Sequence, residues 1–218
     1  MSEVSAVSEA TAGVKPSVAA SQETQLTPEQ RVSGAVSQVE ALFARREIPR
    51  APGERAMMCG FSAEITTRAA RRQGLEADKY QLMFLHRELG IPNMNDALQH
   101  GMNIVRSGDE SYVVDISFTQ FTNPETGEIN QGLGHNVPIK WADNPLAQEL
   151  IKKGYFKLTD KSLRAYLDIS SKSADKSYIQ TATVGKLFSI DSKLATQPSN
   201  HSDAYLDRLL DGETWIIE

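Results

Sequence analysis

Two short apolar runs facing each other across a polar turn restrict this chain more than any other feature. They are Met102-Asn103-Ile104-Val105-Arg106 and Ser111-Tyr112-Val113-Val114-Asp115, around Ser107-Gly108-Asp109-Glu110. β-branched and aromatic residues in runs of this length, broken by Ser, Gly and Asp, read as a hairpin. Opposing Arg106 to Ser111 makes paired residue numbers sum to 217, which sets Asp115 against Met102 and His100 against Ser117. Side chains alternate faces along a strand, so His100 and Asp115 share one face as diagonal neighbours. A carboxylate so placed can hold one imidazole nitrogen and leave the other free to take a proton.

The only cysteine is Cys59, in Ala56-Met57-Met58-Cys59-Gly60. Phe61, Ile65 and Ala69 follow at four-residue intervals, Arg68, Arg71 and Arg72 crowd the far end and Gly74 stops the pattern. This spacing predicts a helix with Cys59 at its N-terminus. There the unpaired N–H groups and the positive end of the dipole favour a thiolate, the species that attacks carbon. A small buried cysteine packing as a hydrophobe, beside a strand-edge histidine and a solvated acid, is the ordinary alternative. It must also explain a charge inside the apolar run Tyr112-Val113-Val114-Asp115-Ile116-Ser117-Phe118. The expectation is a cysteine nucleophile with His100 as base and Asp115 as orienter.

A cysteine at a helix start, a histidine about forty residues on, an aspartate fifteen further and a glutamine five beyond that resembles the papain-like deamidase domain of Pasteurella multocida toxin and the SseI-type secreted bacterial effectors. The run from Asn144 to Phe156 is similar to the helix-and-strand element that follows the active-site sheet in such toxins, and the resemblance covers roughly residues 50 to 170. It implies an α+β, papain-like cysteine hydrolase core, with a small antiparallel sheet packed against helices including the N-terminal cysteine-bearing one. It also implies Cys59 as nucleophile, His100 as general base and acid, Asp115 as orienter, and Gln120 beside the site as an oxyanion or substrate-binding group. The implied activity is hydrolysis of a glutamine side-chain amide in a host signalling protein, a G-protein α subunit or small GTPase, by an effector delivered into the host cytoplasm. A cysteine protease of the same fold, a transglutaminating variant and a non-catalytic interaction module stand as alternatives.

His135, in Gln131-Gly132-Leu133-Gly134-His135-Asn136, is the rival base, because its glycines allow a close approach to substrate. His86 reads as a packed histidine in an apolar run, and His201 as a loop residue. A net charge of −5 argues against nucleic acid as a partner, since binding phosphates needs a basic face. Arg68, Arg71 and Arg72 read as a solvated helix end. One cysteine and scattered histidines lack metal-ligand spacing, so no metal or cofactor is expected. A monomer without integral membrane association is expected, working in a reducing compartment.

Residues 1–26 are poor in large apolar groups and read as a disordered leader, compatible with secretion or translocation, and residues 27–218 as one catalytic domain. Order is expected to begin at Thr27-Pro28-Glu29, a capped helix start that leads into Val32, Val36, Val39 and Leu42-Phe43. Turns follow at Arg50–Glu54 and Asn123–Glu128. A strand is expected around Val137–Trp141, and helices over Pro145–Lys153, Asp160–Leu167 and Ser202–Leu210.

Overall fold

Thr27 opens the first helix with a capping box. Its hydroxyl accepts the N–H of Gln30, whose side-chain oxygen accepts the N–H of Thr27, and Pro28 takes the first helical position, where no donor is needed. The computed structural model describes residues 26–51, 54–55, 58–84, 98–121, 125–126, 128–129, 139–140, 143–170 and 199–213. Residues 1–25 of the expected leader, His86 and His135 lie outside them.

Helix α1 (Pro28–Ala44) buries Val32, Val36, Val39, Leu42 and Phe43 against Ile65, Ala69 and Ala70 of α2 (Cys59–Arg72). The stop falls where the sequence puts it, with Gly74 at φ 71°, a left-handed conformation open to glycine. A four-stranded sheet supplies the other face of the core. Its strands are β1 (Glu76–Phe84), β2 (Leu98–Ser107), β3 (Glu110–Val114) and β6 (Tyr155–Lys157), in the order β1-β2-β3-β6 with every neighbouring pair antiparallel. Val105, Tyr112, Val114 and Tyr155 face the α1–α2 layer.

The hairpin has the expected register, from Arg106 opposite Ser111 to Asn103 opposite Val114. The ladder ends there. The chain turns through Ile116 and Ser117, with the Phe118 N–H returning to the Asp115 carbonyl, while the N–H of Asp115, which faces β6, donates to the carbonyl of Gly154. The expected oppositions of Asp115 to Met102 and His100 to Ser117 are therefore not ladder pairs. Strand β1 was not expected, because Glu, Ala, Asp and Lys are poor strand formers. Nine pairings with β2, from Glu76–Arg106 to Phe84–Leu98, hold it in the sheet.

Strands β4 (Glu128–Ile129) and β5 (Ile139–Lys140) form a separate antiparallel pair. Helix α3 (Pro145–Lys153) is capped by Asn144, whose side chain accepts two N–H groups, and closes on Gly154 at φ 79°. Helices α4 (Asp160–Ser170) and α5 (Asp203–Leu210) follow. The described residues thus form an α+β fold of five helices and a small antiparallel sheet. No helix among them is long and apolar enough to cross a membrane.

The three arginines of α2 are more than a solvated end: they stay partly exposed, Arg71 by half, yet each has a partner. Helix α5 presents Asp203, Asp207 and Asp211 at four-residue spacing, one stripe of a helix. Arg68 grips Asp207 through two hydrogen bonds of 2.7 and 2.5 Å and reaches Asp203 at 3.0 Å, and Arg72 reaches Asp211 at 2.6 Å. Arg71 donates to the carbonyl of Ala77. Leu206 and Leu209 are buried in the same contact.

Candidate active site

Cys59 is the first residue of α2 and is partly accessible. Met58, before it, provides no side-chain cap, so no cap competes with the sulfur or an incoming oxygen for the first-turn N–H groups. Strand β2 runs close to this turn because residue 101 is glycine. A Cβ there would stand 2.9 Å from the carbonyl oxygen of Cys59 and 3.2 Å from its carbonyl carbon. The approach lets one strand bring both the His100 ring and the N–H of Gly101 to the side of the sulfur, where each favours the thiolate.

His100 Nε2 lies 2.7 Å from Oδ2 of Asp115, and both side chains are fully buried. The Asp115 carboxylate is held from two further directions. Tyr166 of α4 donates its phenol to Oδ2 at 2.8 Å, and Ser117 donates to Oδ1 at 3.1 Å. Arg55 fixes the turn that follows. Its buried guanidinium donates to the carbonyl of Ile116 at 2.8 Å while pairing with Glu40 at 2.7 and 2.9 Å, over the ring of Phe43. Gln120, on the short 3₁₀ helix Phe118–Phe121, brings its amide nitrogen to 3.2 Å from His100 Nδ1. The four expected site residues, Cys59, His100, Asp115 and Gln120, therefore meet in one place, contributed by α2, β2, the end of β3 and the 3₁₀ turn.

Burial disfavours the charged form of both members of the sulfur–imidazole pair, and in both cases the partners outweigh it. Burial alone would raise the Cys59 thiol, yet the His100 ring and the Gly101 N–H bring it below its ordinary value. Burial alone would lower His100, yet the charge and hydrogen bond of Asp115, with Cys59 behind them, push it up to about 9. Each shift favours a thiolate facing an imidazolium. With Nε2–H given to Asp115, Nδ1 is the nitrogen left to exchange a proton. The Gln120 amide serves either state of that nitrogen, since its N–H donates to a bare Nδ1 and its carbonyl accepts from a protonated one.

Sequence reasoning missed Gly101, Tyr166, Ser117 and Arg55 as parts of this arrangement. Gly101 carried a signal, being a glycine inside a strand pattern next to the histidine, which marks a close backbone approach. Tyr166 carried none, standing fifty-one residues from the carboxylate it touches. His201 is also more than a loop residue. Its Nδ1 lies 2.7 Å from buried Glu64 of α2, which also accepts from Lys79 and from the N–H of Asn200 at 2.9 Å each, and the His201 ring stacks on Tyr205.

Comparison with protein-family models, with curated proteins and with solved structures finds no match.

Proposed function

We propose that this protein is a cysteine-dependent amide hydrolase on a papain-like core, a secreted bacterial effector that deamidates a glutamine side chain in a host signalling protein. The observation that carries the reading is the buried His100–Asp115 pair at 2.7 Å set against a cysteine on a helix N-terminus. A merely structural cysteine has no need of a histidine whose proton affinity is raised by a dedicated carboxylate.

The steps follow from the positions of the groups. The Cys59 thiolate attacks the carboxamide carbon, forming a C–S bond as the C=O electrons move onto oxygen. The N–H of Cys59 and the amide of Gln120 are the donors assigned to that oxyanion. His100 gives its Nδ1 proton to the amide nitrogen, the C–N bond breaks, and ammonia leaves a thioester. Neutral His100 then takes a proton from water, whose oxygen attacks the thioester. Collapse breaks the C–S bond and returns the thiolate, the imidazolium and a glutamate side chain.

The test is intact and peptide mass spectrometry of G-protein α subunits and small GTPases incubated with the protein or with Cys59→Ala. A Cys59-dependent gain of about one dalton on one glutamine supports deamidation. Cleaved substrate replaces it with the protease reading. An unchanged substrate panel together with an unreactive Cys59 thiol contradicts hydrolase chemistry altogether.

A further inference from the structure

Two donors converge on a single oxygen of Asp115. The Nε2–H of His100 and the phenol of Tyr166 both reach Oδ2, at 2.7 and 2.8 Å, while Ser117 takes Oδ1. Tyr166 is itself fully buried on α4, with its ring against Phe156 and Phe118 at centroid separations of 5.5 and 6.4 Å. Those rings explain why an aromatic residue stands at 166, but phenylalanine would fill the same space. The hydroxyl needs its own explanation, because burying a phenol requires a partner and here the partner is the acid of the triad.

We infer that Tyr166 is a positioning residue for the Cys59–His100–Asp115 site, its phenol aligning the Asp115 carboxylate and dispersing its charge so that His100 is held in place without being over-stabilised as an imidazolium. The inference rests on the hydrolase reading above. A carboxylate facing only His100 and Ser117 would concentrate its charge on the imidazole and make the proton harder to release to the departing ammonia. A second donor on the same oxygen lowers that pull while fixing the carboxylate plane. Three elements face Asp115 with groups that titrate or carry charge among the described residues: β2 with His100, α2 with Cys59 and α4 with Tyr166. The arrangement also makes the docking of α4 a condition for a correctly set triad.

The chain's single cysteine makes iodoacetamide alkylation a direct readout of this network. The full chain is alkylated between pH 4 and 11 as wild type, Tyr166→Phe, Ser117→Ala and His100→Ala. The wild-type profile is expected to show a lower inflection for Cys59 and an upper one for His100. Tyr166→Phe keeps the ring packing and is expected to move the upper inflection up by about half a pH unit and to leave the lower one in place or slightly raised, because the Asp115 charge opposes the thiolate. An upper inflection that stays or falls in Tyr166→Phe overturns the role of the phenol even if the His100 dependence stands. A wild-type profile with one ordinary thiol inflection, indifferent to His100→Ala, removes the hydrolase reading and this inference with it.

Discussion

Gly101 and Cys59 meet backbone to backbone: a Cβ on residue 101 would come within 2.9 Å of the Cys59 carbonyl oxygen. The contact is between main chains, so no flexible side chain can yield. Gly101→Ala is expected to push β2 away from the first turn of α2, costing about 1–3 kcal/mol of stability. It should also return Cys59 towards ordinary thiol reactivity by lengthening the paths from the His100 ring and the Gly101 N–H. Urea unfolding and alkylation rate, measured on the same sample, check both halves.

Asp115→Asn keeps the shape of the side chain and removes its charge. Its amide can no longer accept from His100, Tyr166 and Ser117 together, so the imidazole loses its fixed tautomer. Amide hydrolysis should fall by about a thousandfold or more, with His100 titrating well below 9. Histidine NMR resonances followed against pH report the second effect without a substrate.

The pH dependence has a definite form. His100 rises from 6.5 to about 9 on folding, so its contribution to stability is full below 6.5 and is lost as pH climbs through about 9. Cys59 is lowered from 9.0, so its contribution is present above that value and is lost as pH falls through the lowered one. Across neutral pH the native thiolate–imidazolium pair and the unfolded thiol–imidazole pair carry the same number of protons. Activity should therefore trace a bell whose alkaline limb lies near 9, while the pair adds almost no slope to unfolding free energy around neutrality. Cys59→Ala leaves the His100 proton uncompensated and should lose stability with rising pH near 7.5; a wild-type slope equally steep there would contradict this pairing.

Glu64 ties the segment from Asn200 to α2. Burial would raise its carboxyl, but His201, the Asn200 N–H and Lys79 bring it below its usual value. Its stabilising contribution is present above 4.5 and disappears as pH falls through the lowered value. Glu64→Gln is expected to cost about 1–3 kcal/mol and to speed amide exchange in α5 before the sheet. Hydrogen exchange resolved by segment checks the order of release.

Local rules reached a large part of this molecule. The Thr27 cap, the Gly74 stop and the register of β2 on β3 each depend on residues within a few positions of one another, where turn and cap chemistry acts. The same local signals brought Cys59, His100 and Asp115 into consideration together, and Gln120 joined them through the family resemblance. Strand β1 was illegible because its Glu76-Ala77-Asp78-Lys79 start is held by its neighbour rather than by propensity. Tyr166, and the acids of α5 that absorb Arg68 and Arg72, were illegible because they meet their partners only after the chain has folded back. The end of the hairpin ladder at Val114 was missed because the chain turns at Ile116 and Ser117, inside an apolar run that reads as continuing strand.

The central claim is that Cys59 is a thiolate held by His100, and the rate of its alkylation by iodoacetamide at pH 6 tests it most directly. The account predicts that Cys59 reacts about tenfold faster than free cysteine at that pH and that His100→Ala abolishes the advantage. A wild-type rate equal to that of free cysteine, unchanged by His100→Ala, would contradict it.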